Sequence, residues 1–308
     1  MNLFSAFLKL IRWPNLLFIA LTQILFYAFI IDPYYPSNNP LTHSILALVC
    51  TASVLIAAAG YIINDYFDLN IDQINKPERL IISTFISRRW AIFWHLFFSA
   101  TGIIISLYIS LHSNFIVFIG NTVCVLLLWL YSTTFKKQLL IGNIIISLLT
   151  AWVIVVLYLC MSNSFIFYSP GNFKLHKIFR FAILYASFAF VISLVREVVK
   201  DIEDISGDAK YGCKTMPIVW GIPVSKVFSA VWLIVLLGAL IILQFYVLQI
   251  GWWIFSVYST LLVIIPLFFI IKNLRLAQNI NHYTSLSKHI KLVMLTGILS
   301  MVIIRFYL

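Results

Sequence analysis

Nine apolar runs, each near the ~20 residues that carry an α-helix across a bilayer, decide what this 308-residue chain can become. They cover 15–31, 43–64, 91–111, 114–131, 139–161, 179–200, 225–247, 251–271 and 290–307. In hydrocarbon every backbone amide must find its partner within the protein, so a spanning segment is a helix or a strand of a closed barrel. These runs lack the alternation and the short length of barrel strands, which leaves helices. Only 10% of the residues are charged, against roughly 25% in soluble domains, and no break in composition marks off a soluble part. The expected fold is an all-α integral membrane protein with nine transmembrane helices and one domain spanning 1–308. Lys9 and Arg12 precede the first run and no small-residue cleavage site follows it, which predicts a retained helix and not a signal peptide.

With the N-terminus in the cytoplasm, every Lys and Arg except Lys174, Lys177, Arg180 and Arg305 falls on the cytoplasmic side. Cytoplasmic loops of membrane proteins carry such an excess, so the predicted location is the inner (cytoplasmic) membrane. The same distribution accounts for the net charge of +11 without nucleic acid, because the basic residues form no single tract. Four cysteines include no CxxC, and six histidines are scattered without ligand spacing. Neither a disulfide framework nor a thiolate metal site is indicated.

The acids are distributed quite differently. All but Asp32 lie in two windows, one holding Asp65, Asp68, Asp72 and Glu78, the other Glu197, Asp201, Glu203, Asp204 and Asp208. Asp65, Asp68 and Asp72 are spaced i, i+3, i+7, and so are Asp201, Asp204 and Asp208. On a helix this spacing lines three side chains along one face. The nine-helix threading puts both windows on the cytoplasmic face, in the inner loops 65–90 and 201–224. Each loop begins acidic, turns basic and reaches a proline, as KPER and KTMP. The echo predicts two related halves, 1–138 with four helices and 139–272 with four, followed by a ninth helix in 273–308.

Carboxylates near membrane depth are expensive, and crowding them at two helix ends adds repulsion that a cation relieves. Oxygen-only ligands suit a hard ion such as Mg²⁺ or Mn²⁺ and not zinc. Magnesium takes one or two carboxylates and completes its shell with water and phosphate oxygens. Two such faces can therefore grip a diphosphate, with Lys76, Arg79, Lys136, Lys200 and Lys214 on the same side for its remaining oxygens. A diphosphate held at the membrane boundary implies a lipid-tailed substrate, with membrane lipid as the surroundings. Tyr61, Tyr131 and Tyr185, near the acidic stretches, are candidates to line the tail and to face a developing cation.

The motifs then resemble those of the UbiA superfamily of intramembrane prenyltransferases. The family pattern N-D-x-x-D-x-x-x-D stands here as Asn64, Asp65, Asp68 and Asp72. Its continuation is matched at Asn75, Lys76, Pro77, Arg79, Ile86 and Ser87, with Leu80 in place of a proline and Thr84 in place of a glycine. Tyr131, Ser132 and Lys136 match Y-S-x-x-x-K, while REVVKDIEDISGD and YGCKTMP match the second motif, with Cys213 at an often basic position. The resemblance covers essentially the whole chain. It implies nine helices around a central cavity, capped by two Asp-rich cytoplasmic loops. It also implies Mg²⁺-dependent transfer of a polyprenyl group from an allylic prenyl diphosphate to an acceptor, releasing diphosphate. By carry-over, Asn64, Asp65, Asp68, Asp72, Asp201, Asp204 and Asp208 are metal and diphosphate residues.

For the acceptor, KDIEDISGD is similar to the branch that prenylates glycerol phosphates and to the homogentisate branch. Arg196, Lys200, Lys210 and Lys214 exceed what one metal-neutralised diphosphate needs, which predicts a small anionic or aromatic acceptor. Glu197, one turn before Asp201, is placed either to take the acceptor's proton or to pair with Arg196 or Lys200. A polytopic ion-coupled transporter is the rival class. Its carboxylates would sit near the midplane in broken helices, whereas these sit at helix ends.

Overall fold

The computed structural model describes residues 2–35, 41–75, 77, 80–162 and 173–308. Among them, nine helical segments are long and apolar enough to cross a membrane. They are Trp13–Tyr34, His43–Phe67, Arg88–His112, Phe115–Thr133, Ile141–Met161, Phe173–Glu203, Gly221–Gln249, Trp253–Leu276 and Ile280–Tyr307. The protein is an all-helical integral membrane protein, and each segment overlaps one run read from the sequence.

A short helix, α1 (Leu3–Leu10), precedes the spans. Hydropathy does not reveal it, since eight residues cannot cross a bilayer. The Asn2 side chain caps it by accepting the Ser5 N–H at 2.8 Å, and Ala6 and Leu10 are its buried face. Arg12 then takes a left-handed conformation (φ 52°, ψ 52°), and Pro14 opens α2 (Trp13–Phe26). Next come α3 (His43–Phe67), the short α4 (Leu69–Asn75), α5 (Arg88–His112), α6 (Phe115–Thr133) and α7 (Ile141–Met161). They are followed by α8 (Phe173–Glu203), the short α9 (Ile205–Lys210) and α10 (Met216–Val219), and α11 (Gly221–Gln249). In the eighth span α12 (Trp253–Ser259) joins α13 (Ile265–Leu276) through a π-helical turn, and α14 (Ile280–Ile304) is the ninth.

Two spans begin well before their apolar runs. The last starts at Ile280 and not near 290, because Tyr283, Leu286, Ser287 and Ile290 form a buried stripe at i, i+3, i+4, i+7. A polar stretch with one such stripe stays helical by packing, not by mean hydropathy. Likewise α8 begins at Phe173 and buries Leu175 and Ile178. The loop 161–177 falls largely outside the described residues, as does most of the Pro- and Asn-rich turn at 32–40.

Three apolar cores frame the bundle. One joins α2, α3, α7, α8 and α14 through Phe26, Ile30, Val49, Leu157, Ile178 and Met301. A second joins α8, α11, α13 and α14 through Val195, Leu233, Leu267 and Ile290. The third packs α1 against α3, α5 and the segment 80–86 through Leu10, Ile62, Ile82 and Ala91. Large apolar side chains such as Leu111, Ile242, Phe245 and Phe268 point outward, as lipid requires. Between the cores the bundle encloses a cavity.

Candidate active site

The two acidic windows fold in the same way. Asp65 lies in the last turn of α3, Asp68 is its C-cap (φ −86°, ψ −1°), and Asp72 lies in α4. In the second window Asp201 lies near the end of α8, Asp204 caps α9 (φ −96°, ψ 5°), and Asp208 lies within α9. At each break the chain stays near the helical region, and the third aspartate's N–H donates to the second aspartate's carbonyl. Those bonds are 2.8 Å for Asp72 to Asp68 and 3.2 Å for Asp208 to Asp204. The i, i+3, i+7 register thus survives the break, and both sets face inward.

All six aspartates line one cavity of about 910 Å³, together with Asn64, Tyr61, Tyr131, Lys136, Glu197 and Lys200. Its deeper wall is apolar and includes Phe18, Ile56, Leu128, Ile146, Leu149 and Trp152. Tyr185 sits apart. It lines a small void of about 50 Å³ that shares Phe18, Ile19 and Met294 with the main cavity, and its hydroxyl lies 2.7 Å from Ser300 Oγ. Lys214 is exposed, does not line the cavity, and is tied through its N–H to the Lys137 carbonyl at 2.8 Å. Lys76 and Arg79 lie outside the described residues, as does Glu78.

The aspartates are held by cations and amides. Lys136 donates to Asp68 Oδ2, and Asn64 Nδ2 donates to the same oxygen at 2.7 Å. Burial works against the charge on Lys136, but the Asp68 carboxylate outweighs it and lifts the amine's pKa. Arg12 donates to Asp65 Oδ1 at 2.7 Å and lies 5.1 Å from the centre of the Tyr61 ring. The Asp65 carboxylate raises the guanidinium pKa further. Among the described residues Asp72 has no such neighbour of its own. Burial, then the Asp68 charge, push its pKa up to about 6. Asn143 Nδ2 donates to Asp201 Oδ2 at 2.7 Å.

Glu197 accepts from Lys200 Nζ through both oxygens at 3.0 Å, and from Arg196 at 3.3 Å. Of its two candidate roles, the geometry displays the counter-ion. Arg12, Asn143, Arg196 and Lys291 also belong to this site, yet the motifs do not mark Arg12, Asn143 or Lys291 as part of it. The available signal is a polar side chain at the edge of an apolar run, costly in lipid unless it has a partner.

Asn64 Oδ1 is buried without a hydrogen-bond partner among the described residues, an oxygen acceptor left beside Asp68 and suited to a hard cation. Among the described residues, no three His, Cys, Asp or Glu side chains converge into a single ligating group. The donor set instead suits an ion that takes one or two carboxylates from each side and other oxygens from its substrate.

The chain is 36% identical over 190 residues to digeranylgeranylglyceryl phosphate synthase of Methanothermobacter thermautotrophicus, and the match spans 61% of each sequence. A solved structure described as digeranylgeranylglyceryl phosphate synthase in membranes superposes with a TM-score of 0.66 at 26% identity, covering 100% of both chains. A UbiA homologue from Archaeoglobus fulgidus bound to GPP and Mg²⁺ shares the fold, with a TM-score of 0.59 at 17% identity over 96% of this chain and 99% of that one. Residues 13–292 match the sequence model of the UbiA prenyltransferase family, and the chain belongs to that family.

Proposed function

We propose that this protein transfers a prenyl group from an allylic prenyl diphosphate to a prenylglycerol phosphate within the membrane, releasing diphosphate. One observation carries the reading: a single cavity has both Asp-rich faces at one end and an apolar wall at the other. That polarity suits a substrate with a diphosphate head and a hydrocarbon tail. The acceptor class rests on the relative named a digeranylgeranylglyceryl phosphate synthase, and the cofactor on the homologue bound to GPP and Mg²⁺.

Asn64, Asp68 and Asp72 would hold Mg²⁺ on one side, and Asp201, Asp204 and Asp208 on the other. Bound Mg²⁺ supplies charge neutralisation for the departing diphosphate. Lys136, paired with Asp68, lines the same cavity, where its ammonium would meet the same developing charge. The apolar wall excludes water, so the allylic centre is captured by the acceptor and not by hydroxide. Tyr61 and Tyr131 line the cavity with the aspartates, where an aromatic quadrupole would favour positive charge. In this reading the N-terminus and both Asp-rich segments face the cytoplasm, supported by the excess of Lys and Arg in their loops.

The test is turnover of purified protein with Mg²⁺ and geranylgeranyl diphosphate. It is offered a prenylglycerol phosphate, 1,4-dihydroxy-2-naphthoate, homogentisate and 4-hydroxybenzoate in turn. The expected product is the doubly prenylated glycerol phosphate. Turnover with an aromatic acceptor alone would replace this acceptor class, and Mg²⁺-independent turnover would remove the carboxylate role.

A further inference from the structure

The cavity has a second charged region. Arg196, Glu197 and Lys200 share one face of α8, and Lys291 reaches the same cavity from α14, which packs against α8. Arg196 and Lys291 both line this cavity. Lys291 Nζ donates to Asn15 Oδ1 at 2.6 Å, and among the described residues no carboxylate lies within ion-pair distance of it. Arg196 Nε is buried with no hydrogen-bond partner among the described residues. Arg196 and Lys200 therefore share one carboxylate, Glu197, and Lys291 adds a third cation to the same cavity, whereas Arg12 nearby is matched by Asp65. The surplus is close to the roughly −1.5 to −2 charge of a phosphate monoester at neutral pH. Leaving buried donors and like charges unmatched is costly, and an anion with several acceptor oxygens relieves both at once.

The region is also set apart from the diphosphate end. Glu197 precedes Asp201 by one helical turn, about 6 Å along α8. Lys291 belongs to a helix that carries no Asp or Glu. An anion seated here lies beside the Asp-rich faces without competing for them.

We infer that Arg196, Lys200 and Lys291 form the seat for the acceptor's phosphate monoester, with Asn15 orienting Lys291. The inference rests on the reading above for its ligand, yet direct binding separates the two. Detergent-solubilised protein without Mg²⁺ is titrated with a short-chain alkyl ether of glycerol phosphate, with the uncharged alkyl glycerol ether, and with 4-hydroxybenzoate. In the presence of Mg²⁺ it is titrated with a non-hydrolysable prenyl diphosphate analogue. Lys291→Gln is expected to weaken the phosphate ether at least tenfold, to leave the uncharged ether and the diphosphate analogue within twofold, and to be rescued by Lys291→Arg. Failure of the native protein to bind the phosphate ether overturns the seat. So does equal affinity in Lys291→Gln, equal loss of the diphosphate analogue, or a Lys291-dependent preference for the aromatic carboxylate. Native protein that binds the phosphate ether through Lys291 and never prenylates it keeps the seat and defeats the proposed reaction.

Discussion

Asn75 joins the two Asp-rich segments. Its Nδ2 donates to the Asp204 carbonyl at 2.9 Å, and its Oδ1 accepts the Gly207 N–H at 2.8 Å. A Cβ on Gly207 would lie 2.5–2.6 Å from the Asn75 amide, so the glycine is what lets the side chain reach the backbone. The spacing between the two carboxylate faces depends on this latch.

Asn75→Ala removes both bonds and is expected to lower kcat/KM about tenfold, equivalent to ~1.4 kcal/mol. Gly207→Ala displaces the same amide and should cost a similar factor. Because both act on one contact, the double variant is expected to be far from additive. Additive losses in that cycle would mean that the two residues act separately.

Asp68 is 4% exposed and forms an ion pair with Lys136. Removing one member of a buried pair leaves a stranded charge, a cost on the order of 3 kcal/mol. Lys136→Met is therefore expected to lower Tm in EDTA, with Mg²⁺ recovering part of the loss. Asp68→Asn should abolish Mg²⁺-dependent diphosphate release with a smaller change in Tm, because Lys136 is the more exposed partner and keeps an amide oxygen to donate to. A Lys136→Met protein that melts like the native one in EDTA would show the pair to be incidental.

In the metal-free protein Asp72 titrates near 6 against an ordinary value of 3.8. Between these values the folded state holds more protons than the unfolded state, so stability falls as pH rises through the window. Tm in EDTA is expected to drop from pH 4 to pH 6 by an increment that Asp72→Asn removes. Mg²⁺ competes with the same proton, and its affinity should strengthen over that range. An Mg²⁺ affinity independent of pH there would exclude Asp72 as a ligand.

Trp152 forms part of the apolar wall, nine residues beyond Asn143 on α7, or about 14 Å deeper. Its Nε1 donates to Asn121 Oδ1 at 2.8 Å, and Asn121 donates to Ser106 Oγ at 2.8 Å. A Cβ on Gly120 would lie 2.1 Å from its ring. Trp152→Ala should shift preference towards longer donors, and Gly120→Ala, which pushes the ring, towards shorter ones. Relative kcat/KM for geranyl, farnesyl and geranylgeranyl diphosphates measures both; unchanged ratios would take Trp152 out of length selection.

Sidedness is testable at the second Asp-rich loop. Cys213 is 3% exposed, and burial, then the Asp208 charge, push its thiol up to about 11. The native thiol is expected to resist a membrane-impermeant reagent. The neighbouring Lys214→Cys should react, from the cytoplasmic side only. Reaction in sealed cells from outside would invert the proposed orientation.

The spans and the acidic faces were legible in the sequence because both are periodic and local. Lipid forces a helix wherever about twenty apolar residues run together, and i, i+3, i+7 aspartates share a face whether or not the helix bends at Asp68 or Asp204. Helix starts such as Ile280 were not legible, because there packing on one stripe outweighs mean hydropathy.

The sequence by itself determined an all-helical membrane bundle with two carboxylate faces on one side. Only the tertiary structure decided which partners those carboxylates have: Lys136 on Asp68, Arg12 on Asp65, Asn143 on Asp201, and Asn75 across to Gly207. It also set Tyr185 and Lys214 apart from the main cavity and brought Lys291 into it. The physical reason is range. A helix and its face follow from neighbours a few residues away, whereas these contacts join residues separated by 53 to 132 positions, whose meeting depends on how the whole bundle packs.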